Sequence, residues 1–329
     1  MLALVLIAGV SLTNVAQPTF LRESIRDVRL VIVVPLGFLC LARLVWRDPQ
    51  SRAWSAACFQ VVGAVVAVAA IGQAAVGSGV AVGDLTRATV TYPHPNNLAL
   101  FLERSTLFTA GSLATLPRSR GTLALTLIQV AGILATFSRG ALLAVFIGVV
   151  TLLWWVRSVQ ALKMVLVGLG AVVLAMVLFA RDRLFDLGGT GNEPTRFAVW
   201  RASIRMIQNA TLTGVGPDQF HYQYWRRYVE PAAWPERFTA HPHNLILDVW
   251  LRYGVAGVAG VAWLIAGVAQ QAARIRRRTP DVYAAGAVAA LAGGLAHGMV
   301  DNGFFLPDLA VMTWAFVAWM ITTSNVSNP

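Results

Sequence analysis

Thr239-Ala240-His241-Pro242-His243-Asn244-Leu245-Ile246-Leu247 is where a long polar segment ends and an apolar helix of more than twenty residues begins. Proline at a first helical turn gives up no hydrogen bond, because that turn's N–H groups have no partner within the helix. The stretch therefore predicts a helix start with His243 in its first turn. Unpaired N–H groups there would disfavour imidazolium and hold a neutral base at a membrane surface. The alternative is a pair of interfacial helix-start histidines with no chemical role.

Outward from this stretch the chain is apolar. It is 57% hydrophobic and only 12% charged, with a mean hydropathy of +0.64 over 329 residues. Such a composition leaves large apolar surfaces wet if it is folded as one soluble domain. Several runs reach the roughly 20 residues that cross about 30 Å of hydrocarbon, without the alternation of a β-barrel. The expected fold class is all-α, a polytopic integral membrane protein of about ten transmembrane helices with one long extracytoplasmic helical loop. The spans read at 1–16, 28–46, 55–76, 98–116, 122–137, 141–156, 162–180, 244–269, 282–300 and 309–321. The first is read as a retained span, since it lacks a basic leader and a good cleavage site. In domain terms, 1–180 holds about seven spans, 181–243 is an extracytoplasmic amphipathic loop, and 244–329 holds about three spans.

The net charge of +11 comes almost wholly from arginine, Lys163 being the one lysine. Arg43, Arg47 and Arg52, then Arg118 and Arg120, then Arg157 and Lys163, then Arg274, Arg276, Arg277 and Arg278 fall on one side of the predicted spans. That side is assigned to the cytoplasm, with both termini. Topology thus explains the basic residues, and no nucleic-acid module is present. Cys40 and Cys58 lie in apolar runs, where a structural disulfide is not expected. Neither a metal-ligand spacing of Cys and His nor a glycine-rich phosphate loop occurs, so no metal and no cofactor is expected.

The outer segment is too long for a passive connector and too short for a domain with a large core, which suggests a lid. Within it Asn192-Glu193-Pro194 reads as a helix start. Phe197, Trp200, Ile204 and Ile207 then form an apolar stripe bordered by Arg196, Arg201 and Arg205, ended by Gly214-Val215-Gly216-Pro217. Phe220 to Tyr228 crowds aromatics with Arg226 and Arg227, as an interfacial belt or as a platform for sugar rings and headgroup phosphates.

Ionisable groups inside spans are expensive, so each is a candidate for function. Tyr92-Pro93-His94-Pro95-Asn96-Asn97 opens a helix carrying Glu103 and Arg104 two turns in. Thr136-Phe137-Ser138-Arg139-Gly140 is a tight turn that puts Arg139 near the outer surface. His297 and Asp301, four apart, are expected to share a helix face.

Ser138-Arg139-Gly140, the helix start Arg196 to Trp200, Gly214-Val215-Gly216-Pro217, and His243-Asn244 followed by Leu247, Gly254 and Gly257 together resemble the O-antigen ligase and O-antigen polymerase superfamily of bacterial membrane glycosyltransferases. The resemblance runs from His94 to Asp301. Asp248 stands where an amide is common, and Arg252 where an acid is common. The resemblance implies a GT-C-like fold and transfer of a glycan from undecaprenyl diphosphate to an acceptor hydroxyl at the outer face of the cytoplasmic membrane, inverting and without a metal. His243 would be the catalytic base. Arg139 and Arg196 would hold the donor diphosphate, with His94, Asn96, Glu103, Arg104, Arg201, His241, Asn244, His297 and Asp301 as supporting residues. The implied partners are the lipid-linked glycan, an acceptor that is a glycan, lipid or protein, and membrane lipid. A repeat-unit polymerase of the same superfamily shares the chemistry, and a lipid-linked glycan transporter is the alternative of another class.

Fusion of compartment reporters at Arg277 and at Gln223 checks the topology. The two should report opposite compartments, and a shared compartment would overturn the assignment of the outer segment.

Overall fold

The computed structural model describes residues 18–82, 85–115, 119–156, 193–278 and 281–322. The predicted spans 1–16 and 162–180, and the predicted cap Asn192, lie outside the described residues. In chain order the helices are α1 (Pro18–Val28), α2 (Val34–Val45), α3 (Pro49–Ala75), α4 (Pro95–Thr115), α5 (Arg120–Leu134), α6 (Arg139–Val156), α7 (Glu193–Asn209), α8 (Phe220–Arg227), α9 (Leu245–Arg278), α10 (Val282–Gly298) and α11 (Pro307–Thr322). A π-turn, Arg29–Val33, joins α1 to α2, so this helix begins ten residues before the predicted start at Val28. Strands β1 (Val80–Val82) and β2 (Leu85–Arg87) form a short antiparallel hairpin that the sequence pattern did not suggest.

The protein is an all-α polytopic membrane protein. Among the described residues, four helical segments are long and apolar enough to cross a membrane, Leu21–Val45, Pro49–Ala75, Arg139–Val156 and Leu245–Arg277, and three shorter apolar helices are α5, α10 and α11. Helix α4 matches the predicted span at Leu98, with Glu103 and Arg104 buried inside it. The chain divides into two compact units. The first draws on Met1–Phe38, Asp186–Gln270 and Gly298–Val311, the second on Leu39–Phe185, Gln271–His297 and Met312–Pro329.

In the second unit, helix starts are set by local caps. Asp48 accepts from the Ser51 N–H at 2.7 Å, and Ser119 from Thr122 at 3.2 Å. Small residues let backbones approach, as where Gly111 meets Gly286, and lipid packing rewards such contact. Phe108 packs against Trp319, with ring centroids 4.5 Å apart, and against Phe59 and Phe316. The Gln129 amide donates to the Gln60 carbonyl at 3.0 Å and to Thr109 at 3.2 Å. Arg52 pairs with both oxygens of Asp281, at 2.8 and 2.9 Å, and caps the Trp319 carbonyl. Val61, Val62, Val65 and Val68 on α3 are exposed, as lipid-facing side chains are. Cys40 and Cys58 are free and exposed.

In the first unit, α7 buries Ala198, Val199, Ala202 and Met206 with Phe220, Tyr224 and Leu251. This corrects the predicted stripe. Ile207 is buried, but Phe197 and Ile204 are exposed and the smaller residues beside them turn inward. Alanines allow α7 to lie close to its neighbours, which the bulk of Phe197 would prevent. Phe220 and Tyr224 of the aromatic run are likewise core residues, while Trp225 stays exposed.

The predicted helix from Asn244 is interrupted. Gly254 inside α9 has φ +64° and ψ −163°, a conformation essentially confined to glycine. The break frees backbone groups that an apolar setting cannot leave unpaired. The turn after α7 takes them: Val215 and Gly216 donate to the Leu251 carbonyl at 2.6 and 3.1 Å, and Val255 donates to the Leu212 carbonyl at 3.2 Å. The Trp250 indole adds a bond to the Thr211 carbonyl at 2.8 Å.

Gly254→Ala brings a Cβ into the Leu212 carbonyl as well as an unfavourable φ. It should destabilise the protein by about 1–3 kcal/mol or more, read as a lower melting temperature in detergent than for Gly267→Ala, a site with open space around it.

Candidate active site

The site in the first unit is assembled by the segment before α9 and the loop after α10. Residues Pro231–Glu236 form a 3₁₀ turn, and the Thr239 N–H closes on the Glu236 carbonyl at 3.0 Å. His243 does not lie in the first turn of the helix. It has φ +54° and precedes Leu245, and Asn244 is the cap, its side chain accepting the Leu247 N–H at 3.1 Å. An Asn side chain that bonds the third N–H onward starts the helix two residues later than Pro242 would. The helix-start field is therefore not what sets the state of His243.

A carboxylate does so instead. His243 Nδ1 is 2.9 Å from Asp301 Oδ1. A nitrogen facing a carboxylate carries the proton, which leaves Nε2 as the acceptor. Nε2 lies 3.1 Å from the Thr239 oxygen and 3.9 Å from the Glu236 carboxylate. The Thr239 hydroxyl gives its one proton to the His241 carbonyl at 3.0 Å, so it does not donate to Nε2. The His243 imidazole retains only 18% of its side-chain exposure, enough for approach from one side.

Asp301 is held by its flanks. Asn244 Nδ2 donates to the Met299 carbonyl at 2.9 Å, and Asn302 Nδ2 donates to Asp248 Oδ2 at 2.7 Å. Asn244 and Asp248 stand one helical turn apart on α9, so one face of that turn grips both sides of the Asp301 loop. The other oxygen of Asp248 accepts from Arg252 Nε at 2.8 Å, and Arg252 Nη1 reaches Asp27 at 2.8 Å. Asp248 and Arg252 thus form one buried ion pair.

His241 supports the bend. Its Nδ1 accepts the His243 N–H at 3.2 Å, and the two rings meet edge to face at 4.5 Å. Burial, followed by the charge of neighbouring His243, pushes the His241 imidazole down to about 4, so it is neutral near pH 7. The donor atoms of His241, His243 and Asp301 lie within 4.8 Å of one another, a set that could hold a divalent ion. Here, however, the Nδ1 of His241 is engaged by a backbone N–H, and that of His243 by Asp301.

Arg196 lies on the first turn of α7, partly exposed. Arg201 pairs with Glu230 at 2.6 Å, as does Arg205 through the second oxygen. The hydrogen bond from Arg201 holds the Glu230 carboxyl below the usual range. Tyr224 is buried beneath, and burial together with the Glu236 and Glu230 carboxylates pushes its phenol up to about 12.

The remaining predicted residues belong to the second unit. His297 Nδ1 bonds Glu103 at 2.6 Å, both fully buried. Helix α10 ends at Gly298, so Asp301 lies beyond it; His297 and Asp301 do not share a helix face and have different partners. A Cβ on Gly140 would run into the His297 ring, which gives that glycine a packing reason. Arg104 is buried against Gly294. His94 Nδ1 accepts the Asn96 N–H at 3.2 Å, and Asn96 accepts from Arg87 at 2.8 Å. Arg87, unnoticed in the sequence, also donates to the Thr136 carbonyl at 2.8 Å and so braces the turn before Arg139. Arg139 opens α6, half-buried, behind the cap Ser138, whose carbonyl accepts the Leu142 N–H at 3.3 Å. Glu236, Asp248, Arg252 and Asp27 were also missed as site residues. Only Asp248 and Arg252, at one-turn spacing, carried a usable signal.

The first unit thus sets a histidine–aspartate pair beside a gripped loop in a helical membrane protein. Residues 124–264 match the family described as O-antigen ligase. The chain is also similar to an O-antigen ligase of Salmonella typhimurium (strain LT2), 28% identical over 178 residues, which is 49% of this chain and 42% of that protein. The chain thus matches less than half of that relative's length. Over these residues the chain is similar to the O-antigen ligase and O-antigen polymerase superfamily.

Asn244→Asp keeps the cap oxygen but loses the donor to Met299, whereas Asn244→Ala loses both. Melting in detergent should show a loss of about 0.5–2 kcal/mol for the Ala variant and a smaller loss for Asp; equal losses would show that the tie to Met299 carries the whole effect.

Proposed function

We infer that the protein is an O-antigen ligase-like glycosyltransferase of the cytoplasmic membrane, with its site on the outer face, which moves a glycan from undecaprenyl diphosphate to an acceptor hydroxyl. The observation that carries this reading is the His243–Asp301 pair, which leaves Nε2 as the acceptor, beside the Thr239 oxygen, on a ring that keeps 18% of its side-chain exposure. Both family matches bear the description O-antigen ligase, which favours ligase over polymerase as the working assignment.

In the proposed step Nε2 takes the proton of the acceptor hydroxyl as its oxygen bonds the anomeric carbon. The bond from that carbon to the diphosphate breaks, and its electron pair leaves with the diphosphate. Attack opposite the leaving group inverts the configuration, so no carboxylate nucleophile is required. Asp301 keeps Nδ1 protonated and supplies the countercharge as imidazolium forms. Arg196 and Arg139 are assigned to the diphosphate by the resemblance, where a planar guanidinium suits two phosphate oxygens and growing negative charge. Glu103 and His297 pair with each other in full burial, which supports a structural role for them. No step in this route needs a metal.

Purified protein, undecaprenyl-diphosphate glycan and candidate acceptors test the reading by product analysis. A chain extended on the lipid carrier would mark a polymerase, and donor movement without turnover a transporter. His243→Ala should lower turnover about 10²- to 10⁴-fold with donor binding kept, and Asp301→Asn should fall in the same range. His241→Ala should lose less, because that ring only supports the bend. Loss of donor binding in His243→Ala would make His243 a donor ligand instead.

A further inference from the structure

The short strap between α8 and the base presents hydroxyl-directed groups to His243 and aromatic ones to solvent. Glu236 and Thr239 stand 3.9 and 3.1 Å from His243 Nε2. Trp234 and Phe238 are 61% and 58% exposed, although nothing in the core accounts for such large apolar side chains at the surface. The Arg237 guanidinium lies over both rings, 4.8 and 4.7 Å from their centroids, and gives one N–H to the Trp234 carbonyl. Trp225 continues the patch, its ring 6.0 Å from that of Phe238.

We propose that the strap is the acceptor subsite, and that its ligand is a saccharide carrying a phosphate or carboxylate. This rests on the transferase reading above. A sugar has an apolar C–H face and a hydroxyl edge, and the strap offers a counterpart to each. Trp234, Phe238 and Trp225 take ring faces, and Arg237 takes the anionic group. At the other edge the hydroxyl to be activated displaces Thr239 from Nε2, and the neighbouring hydroxyl donates to Glu236. A separation of 3.9 Å between Nε2 and the carboxylate is one that a vicinal diol can bridge. Thr239 can yield Nε2 without losing its other bond, because its hydroxyl already reaches the His241 carbonyl. A lipid surface would use the aromatic residues, but it has no use for a carboxylate and a hydroxyl aimed at the base.

Two measurements on the full-length protein in nanodiscs test the subsite. Binding of deacylated rough lipopolysaccharide, a soluble phosphorylated oligosaccharide, should weaken about tenfold in Trp234→Ala and in Glu236→Gln. With any acceptor that the wild-type protein turns over, Trp234→Ala should raise the acceptor KM about tenfold and leave the donor KM within about twofold. Unchanged oligosaccharide binding in both variants would overturn the proposal. So would bromolipid quenching of Trp234, read as the difference from Trp234→Phe, that added oligosaccharide does not relieve; that result assigns the patch to the bilayer interface. Binding by the wild type without turnover would count against the transferase reading while leaving the subsite standing.

Discussion

A single guanidinium fixes the geometry around His243. Arg252 lies between Asp248 and Asp27 with only 8% of its side chain exposed, and Asp248 in turn holds Asn302, the residue next to Asp301. Removing one partner from a buried pair leaves an uncompensated charge, which costs about 3–5 kcal/mol. The setting of His243 therefore depends on a charge that does not touch it. Asp27 and Asp248 share the one guanidinium of Arg252, and Asp248 carries the hold on through Asn302 to the Asp301 loop.

The membrane fold was legible because its signal is local. Apolar runs mark where the helices lie, although α1 begins ten residues and α3 six residues before the starts that the runs suggest. The site was legible in its residues and not in its pairings. His243 and Asp301 are separated by 58 positions, and no periodicity links them. Spacing misled where a helix ended early, as at Gly298, which separates His297 from Asp301. It also misled where an Asn side chain moved the helix start past Pro242. On α7 the sizes of the side chains, and not their hydrophobicity, decided which face was buried.

Motif residues divide by what they touch. Gly140 of the Ser-Arg-Gly turn makes room for the His297 ring, and Gly254 permits a helix break. A glycine in such a motif reports on packing. His241 is likewise structural beside His243: its ring nitrogen is spent on the His243 N–H.

The interrupted helix also bears on the order in which the chain is made. Thr213 to Gly216 precede α9 in the sequence, so the segment that binds the Leu251 carbonyl has already left the ribosome when the break is synthesised. The open backbone groups at Gly254 can be covered as soon as they emerge. Reversing that order, by circular permutation that places the turn after the helix, would leave the nascent span with polar groups bare in an apolar surrounding.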